Sequence, residues 1–182
     1  MAHTTWDGCH IVNANEDISK GHYLKLHGSL NWLKCTNSKC SVYGAPMAVD
    51  ALGLQLRSRD SKCYQCGFEL EPLLIPPAYR KRFDEASAIA KQWRIALDEI
   101  AKATGLVIIG YSFPKTDLSS LWLLQAGAMR YNQNDLRITV VASESDQEHY
   151  EGLLNDKLNR SKEDWIFYPG FSAYVDAISD RV

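Results

Sequence analysis

The sequence contains neither a long apolar run nor a strong excess of one charge. No stretch approaches the length of about 18 apolar residues that a membrane-spanning helix needs, and residues 1–7 hold no basic region followed by an apolar one. The 20 Lys and Arg against 22 Asp and Glu give a formal charge of -2, which offers no electrostatic support for binding nucleic acid or an anionic membrane. We therefore expect a cytoplasmic protein with no membrane partner and no clear nucleic-acid partner.

Two glycine motifs that bind nucleotide phosphates are also missing. The sequence has no Gly-x-Gly-x-x-Gly fingerprint and no phosphate loop ending in Gly-Lys-Ser or Gly-Lys-Thr. Neither of those two nucleotide-binding loops is therefore predicted. What is present suits one globular domain with a substantial core, because the chain has 182 residues, of which 46% are hydrophobic and 23% are charged.

Cysteine is scarce, and four of the 5 cysteines form two close pairs. The pairs are Cys35 with Cys40 and Cys63 with Cys66. Two short knuckles of soft thiolates suit a tetrahedral zinc ion, which takes four ligands at about 2.3 Å when all are sulfur. We predict a structural zinc ribbon inserted over residues 33–72, with these four cysteines as the ligands. The remaining Cys9 is predicted to be a buried small hydrophobe rather than an activated nucleophile.

Helical and strand patterns alternate from residue 83 onwards. Apolar residues at spacings of three and four predict a helix over residues 83–104, and the apolar run 106–109 is typical of a central parallel strand. The next predicted element is a helix that Thr116 or Asp117 could cap and that runs to about residue 131. After it come a strand over 136–142, a helix from 143 towards 158, a strand over 165–168 and a helix over 171–178. This order predicts an α/β fold: a partial Rossmann-like parallel sheet with helices on both faces, in which ligands sit beyond the carboxyl ends of the strands.

A separate short strand is predicted over residues 23–26, ending at His27 and Gly28. Three roles are open for His27: a satisfied core histidine, a general base at a sheet edge, or a zinc ligand. The zinc role is discounted because four cysteines already fill a tetrahedral site.

Polar groups follow two of the predicted parallel strands. Gly110 and Ser112 come after the first strand, and Ser143 and Glu144 come after the second. Glycine lets the backbone approach a phosphate or ribose, a serine hydroxyl can bind a phosphate oxygen, and a carboxylate can accept from ribose hydroxyls. The alternative is structural, since Gly110 can simply allow a turn and Glu144 can occupy the first turn of a helix, where the dipole favours it.

Taken together, four motifs in this order resemble the sirtuin family, especially its divergent bacterial members. Residues 23–32 look like the strand that ends in the family's catalytic His-Gly, and the cysteine pairs look like its zinc ribbon. Gly-Tyr-Ser-Phe-Pro at residues 110–114 is similar to the family segment that contacts the dinucleotide. Residues 137–144 are similar to the later strand whose end holds the adenosine ribose, with Ser143 in place of asparagine. The resemblance covers about residues 24–144.

The sequence also departs from the family pattern. Residues 1–182 are expected to form a single sirtuin-like domain that lacks the N-terminal glycine-rich Gly-Ala-Gly segment of a complete sirtuin. Residues 4–8 resemble the Thr-x-Asn-x-Asp stretch at the nicotinamide end, but Thr5 stands where asparagine is usual. Residues 73–77 replace the Phe-Gly-Glu segment of protein deacylases, which weakens the case for an acyl-lysine substrate.

The resemblance implies that NAD is cleaved at its nicotinamide ribosyl bond, with His27 as the catalytic base. It also implies NAD-binding roles for Gly110, Ser112, Ser143 and Glu144. NAD hydrolysis comes ahead of protein-lysine deacylation, because similar His-Gly-Ser-Leu-Asn-Trp and Gly-Tyr-Ser-Phe-Pro segments occur in NAD-depleting enzymes of phage defence.

A third interpretation belongs to another class of function. In it, the chain is a truncated, non-catalytic module that folds around zinc and binds a partner. The candidate partners are NAD, for the two enzymatic interpretations, and an N-terminal segment or second chain that would complete the site. Oligomer formation is left open.

Overall fold

The computed structural model describes residues 22–48, 62–76, 87–129 and 136–180. The chain divides into two compact units, Met1–Ala96 and Leu97–Val182. The predictions for Cys9 and for residues 4–8 lie outside the described residues, as does the start of the helix predicted from residue 83. In the described part of the chain, no helix has the length and apolar character needed to cross a membrane.

The first unit contains an antiparallel three-stranded sheet in which β1 is central. Its strands are β1 (Gly28–Cys35), β2 (Met47–Ala48) and β3 (Leu70–Leu74). The pairing of β1 with β3 is irregular between Gly28 and Leu33. Leu33 lies opposite Pro72, which has no N–H to donate to the ladder. The irregularity therefore begins next to the pair that contains this proline.

The strand predicted over residues 23–26 is wrong. Residues 22–25 are irregular, Leu26 and His27 form a turn, and the strand begins only at Gly28. The N–H of Gly28 closes that turn on the carbonyl oxygen of Lys25 at 2.9 Å, and Gly28 has a φ of 82°. Glycine adopts this left-handed backbone at no steric cost. A weak alternation of apolar and polar residues over four positions did not distinguish a strand from an extended segment that leads into a turn.

Helix α1 (Ser87–Lys102) confirms the helical pattern predicted from spacings of three and four. It begins in the first unit, where its side chains Ile89 and Trp93 are buried. The buried apolar side chains of this unit also include Trp32 from β1 and Leu73 from β3. Burial of side chains of this size is the main favourable term for folding such a unit.

The second unit contains a parallel sheet with the order β4-β5-β6, as the alternation of patterns predicted. Its elements are β4 (Gly105–Ile109), α2 (Leu118–Ala128), β5 (Arg137–Ala142), α3 (Gln147–Leu158), β6 (Trp165–Pro169) and α4 (Phe171–Ser179). Ile109 pairs with Val141 and Ala142 pairs with Pro169. The three strands therefore end at nearly the same level.

Helices lie on both faces of this parallel sheet. On one face, Ile138 of β5 packs with Tyr150 and Leu154 of α3. Successive residues of a strand point to opposite faces, and on the other face Tyr168 of β6 contacts Tyr174 of α4 with ring centroids 5.4 Å apart. The predicted α/β fold class, a partial Rossmann-like parallel sheet, is confirmed.

Candidate functional site

The four predicted zinc ligands come together in the first unit. The Sγ atoms of these free cysteines, Cys35, Cys40, Cys63 and Cys66, all lie within 4.8 Å of one another. Cys35 and Cys66 have their Sγ atoms 3.5 Å apart, and Cys40 and Cys63 have theirs 3.9 Å apart. A tetrahedral site with Zn–S bonds of about 2.3 Å has sulfur–sulfur edges of about 3.8 Å. The cluster has the size and donor set that zinc requires, and His27 is not part of it.

Backbone turns direct N–H groups at three of the sulfurs. Each of these sulfurs accepts from the N–H two residues further along the chain, which belongs to Asn37, Val42 or Phe68. The Phe68 N–H lowers the pKa of Cys66 to about 7, whereas burial raises the pKa of Cys35 to about 12. Four thiolates this close would repel one another, and a divalent cation would offset that repulsion.

His27 lies in the turn before β1, and its side chain is half-buried. Its Nδ1 is 2.8 Å from the carbonyl oxygen of Ile75. A carbonyl oxygen only accepts, so Nδ1 carries a proton, and in the neutral imidazole the basic lone pair is then on Nε2. The ring also meets Trp93 edge-on, with centroids 6.3 Å apart and planes at 69°. This tautomer is the one that a general base acting through Nε2 needs.

The other predicted site residues lie in the second unit, along the carboxyl edge of its parallel sheet. They follow β4 and β5, which end in register, and all of them are exposed: Gly110, Ser112, Ser143 and Glu144. Gly110 has a φ of 62°, and its N–H donates to the carbonyl oxygen of Val141 at 2.9 Å. A Cβ added there would meet nothing within 4 Å. The left-handed backbone, and not crowding, therefore requires glycine at this position.

Ser143 and Glu144 begin the connection from β5 to α3. The hydroxyl oxygens of Ser143 and Ser145 lie 2.9 Å apart, and Glu144 is the first residue of a short 3-10 turn, Glu144–Asp146. The structural alternative for Glu144, a first-turn carboxylate, fits this position. Its exposure also leaves the carboxylate accessible to a ligand.

A buried aspartate that we predicted only as a possible helix cap also holds the loop between β4 and α2. The Asp117 carboxylate accepts hydrogen bonds from the hydroxyls of Tyr111 and Ser120, both at 2.6 Å, and it caps α2 through the Ser120 N–H. Asp117 itself is 0% exposed. Burial and then the bond to Asp117 raise the pKa of Tyr111 to about 12. The sequence predicted a cap at Thr116 or Asp117, and the structure selects Asp117.

Two side chains of α3 hold the backbone of the same loop. The Tyr150 hydroxyl donates to the carbonyl oxygen of Tyr111, and Nε2 of His149 lies 2.7 Å from the carbonyl oxygen of Ser112. The next residue, Phe113, has a φ of 48°, which is uncommon for a residue with a side chain. The backbone around Ser112 is thus set by contacts that no local pattern indicated.

Two side chains of α1 bind the backbone just before His27, and the sequence did not predict either contact. Oε1 of Gln92 accepts from the Lys25 N–H at 2.6 Å, and Nε1 of Trp93 donates to the carbonyl oxygen of Leu26 at 2.7 Å. The sequence held one indication of a buried contact. Gln92 interrupts the apolar face of the helix, where a polar side chain requires a buried hydrogen-bond partner.

Comparison with known proteins bears on the fold. No protein-family model matches the chain, and no curated protein matches it. Among solved structures, that of Sir2Tm bound to a propionylated peptide matches with a TM-score of 0.50 and 14% identity, over 93% of this chain and 58% of the other. The fold is sirtuin-like. The sirtuin-like fold that the motifs predicted is therefore confirmed.

A second sirtuin structure also matches. It is a histidine-to-tyrosine mutant of Sir2 with a p53 peptide and NAD, at a TM-score of 0.45 and 13% identity, over 88% of this chain and 55% of the other. The present chain spans 58% of the length of Sir2Tm. At 14% identity, the likeness establishes the sirtuin-like fold and not an activity.

Proposed function

We propose that this sirtuin-like domain binds NAD and hydrolyses it to nicotinamide and ADP-ribose. The observation that carries the proposal is the contact of His27 Nδ1 with the carbonyl oxygen of Ile75, because it leaves the basic lone pair on Nε2. The sirtuin-like fold supports the same proposal.

The proposed chemistry needs one base and one water molecule. The bond between the nicotinamide nitrogen and ribose C1′ breaks, and its electron pair leaves with nicotinamide. Positive charge develops on the sugar, and the water oxygen attacks C1′. Nε2 of His27 takes the proton that this water loses and later releases it to solvent. A positioned base of this kind contributes about 100-fold to 10,000-fold to the rate.

We assign nucleotide binding to the carboxyl edge of the parallel sheet, where ligands of α/β folds bind. The left-handed turn at Gly110 lets the backbone approach a phosphate. The hydroxyls of Ser112 and Ser143 would donate to phosphate or ribose oxygens. The carboxylate of Glu144 would accept from ribose hydroxyls. All of these groups are exposed, so a ligand can reach them.

The four cysteines would hold a structural zinc ion in a closed site. All four coordination positions would be filled by protein sulfurs, which leaves no position for a catalytic water. The role of the cluster in this proposal is to hold the ends of β1 and β3 together. The proton transfer at His27 does not involve it.

NAD cleavage by the 182-residue chain tests this proposal, with nicotinamide and ADP-ribose measured by chromatography. We expect NAD loss that falls by about 100-fold or more in His27→Ala, with zinc content unchanged. His22→Ala is the matched control, since His22 is an exposed histidine in the same unit, and it is expected to cleave NAD like the wild type. Intact NAD, or a fully active His27→Ala variant, would overturn the proposal.

A second candidate function is NAD-dependent protein-lysine deacylation. It is favoured by one observation, the likeness to a sirtuin bound to a propionylated peptide. In that reaction the acyl oxygen would bond to ribose C1′ as nicotinamide leaves with the electron pair of the broken bond. His27 would then take a proton from the ribose hydroxyl that attacks the acyl carbon. Incubation with NAD and a propionyl-lysine peptide separates the two functions. Deacylation requires NAD loss to depend on the peptide, whereas hydrolysis proceeds without it.

Calorimetry distinguishes the two enzymatic functions from the interpretation of the chain as a non-catalytic zinc module. Titration of the chain with NAD is expected to show saturable binding under either enzymatic function. Absence of binding by a zinc-loaded chain would favour the module.

A further inference from the structure

The two residues directly before His27 are held by α1 and not by a strand ladder. The Lys25 N–H donates to Gln92 at 2.6 Å, and the Leu26 carbonyl oxygen accepts from the indole N–H of Trp93 at 2.7 Å. Both contacts are to backbone atoms, so they constrain the path of the chain and not one flexible side chain. The turn that carries His27 therefore has its entrance fixed by α1.

Gln92 is a polar residue at a buried position of α1. Its side chain is 0% exposed, and its Nε2 has no hydrogen-bond partner within the described part of the chain. A buried amide with an unmet donor destabilises a fold relative to an apolar side chain of similar size. What glutamine supplies here is the acceptor for the Lys25 N–H.

The exit of the turn is fixed as well. A Cβ on Gly28 would lie 2.0 Å from the carbonyl oxygen of Leu73, so the backbone of β3 runs directly against this glycine. The N–H of Ile75, two residues further on, donates to the carbonyl oxygen of His27 at 2.9 Å. His27 thus lies between two fixed points of the backbone.

We propose that Gln92 and Trp93 are positioning residues for His27. By fixing the turn, they keep Nδ1 of His27 on the carbonyl oxygen of Ile75, so that Nε2 remains the basic nitrogen. They do not contact the substrate in this role. The consequence for catalysis rests on the proposed NAD hydrolysis, whereas the effect on the imidazole does not.

Two-bond ¹H–¹⁵N NMR spectra of the full chain test the effect on the imidazole without NAD. These spectra report which ring nitrogen carries the proton, and His27→Ala assigns the signals. The wild type is expected to show the Nδ1–H tautomer. Trp93→Phe keeps an aromatic ring but removes the donor, and Gln92→Met removes the acceptor. Both variants are expected to increase the Nε2–H tautomer severalfold, because the hydrogen bond to Ile75 loses its alignment.

Trp165→Phe is the matched control. Trp165 and Trp93 are each 7% exposed, but Nε1 of Trp165 has no hydrogen-bond partner among the residues described. Its replacement removes an indole N–H from a buried site without touching the turn at His27. The control is expected to leave the His27 spectrum unchanged. Circular dichroism shows which variants fold. If Trp93→Phe does not fold, the His27 spectrum of Gln92→Met tests the positioning role.

The same variants have a distinct kinetic signature. If Gln92 and Trp93 orient the base, kcat for NAD cleavage falls about tenfold while KM stays within about twofold of the wild type. A folded variant with a wild-type His27 spectrum, or an equal change in Trp165→Phe, would overturn the positioning role. A wild-type chain that leaves NAD intact would instead refute the hydrolase function, and the NMR result would still decide the positioning role.

Discussion

His27 and Ile75 exchange two hydrogen bonds although they are 48 positions apart in the chain. The Ile75 N–H donates to the His27 carbonyl oxygen at 2.9 Å, and the Ile75 carbonyl oxygen lies 2.8 Å from Nδ1 of His27. One residue of the chain therefore orients both the backbone and the ring of the proposed base. Ile75 makes these contacts with main-chain atoms, so a substitution in the turn tests the arrangement better than a change of the Ile75 side chain.

Gly28→Ala is predicted to destabilise the first unit strongly. The added Cβ would lie 2.0 Å from the carbonyl oxygen of Leu73, and the left-handed backbone at Gly28 would strain any side chain. We expect a loss of about 3 kcal/mol or more in the free energy of unfolding, measured by chemical denaturation. Gly105→Ala is the control, because a Cβ there meets nothing within 4 Å, and it should cost less than about 1 kcal/mol. Similar losses in both variants would contradict the close approach.

Asp117→Ala is predicted to cost about 2–4 kcal/mol of stability, because it removes the α2 cap and leaves the buried hydroxyl of Ser120 and that of Tyr111 without their acceptor. Asp164→Ala is the matched control. Asp164 accepts from the N–H and hydroxyl of Ser161, both at 2.8 Å, but it is exposed. Its loss should cost only about 0.5–1 kcal/mol in the same thermal or chemical unfolding experiment. Equal costs would show that burial of the Asp117 network does not matter.

Zinc content provides a third prediction. The purified chain is expected to contain about one zinc per molecule by elemental analysis, and Cys63→Ser should lose the metal and unfold at a lower temperature. Cys9→Ser should keep the metal, since Cys9 belongs to neither pair. Because the ligands must be thiolates, affinity for zinc should fall as the pH is lowered. A metal-free wild-type chain with unchanged thermal stability in the presence of zinc would contradict the metal site.

The dependence of the free energy of unfolding on pH above about pH 10 should be set in part by Tyr111. Burial and the contact with Asp117 raise the pKa of Tyr111 from 10.0 to about 12 in the folded chain. Folding therefore favours the protonated phenol, and this contribution is complete below about pH 10 and is lost as the pH rises towards about 12. Tyr111→Phe should show a smaller loss of stability than the wild type across this interval, measured by denaturation at each pH. Tyr64 is 76% exposed, and Tyr64→Phe should keep the wild-type profile.

Glu144→Ala is predicted to weaken NAD binding, because a carboxylate that accepts from ribose hydroxyls contributes to substrate binding more than to the chemical step. We expect KM for NAD to rise about tenfold with little change in kcat. Glu163→Ala is the control, since Glu163 is an exposed acidic residue in another short 3-10 turn, Lys162–Asp164. An unchanged KM in Glu144→Ala would leave the first-turn interpretation as the role of this carboxylate.

The second unit was predicted more closely than the first. The apolar runs at 106–109, 136–142 and 165–168 became β4, β5 and β6 with ends shifted by one residue at most. A run of apolar residues bounded by polar turns identifies a buried parallel strand from near neighbours alone. The first unit gave a wrong strand at 23–26, because that segment is shaped by partners that lie far along the chain. The catalytic and NAD-binding assignments remain predictions.

Near-neighbour patterns were enough to specify the two cysteine pairs, the succession of helices and strands, and the polar residues at the carboxyl edge of the parallel sheet. Such features depend on spacing over a few residues, which the chain carries locally. Contacts between distant segments established the orientation of the His27 ring and the hold of Gln92 and Trp93 on the turn before it. These contacts join residues 48 and 67 positions apart, and no local pattern determines which distant atoms come within hydrogen-bonding distance.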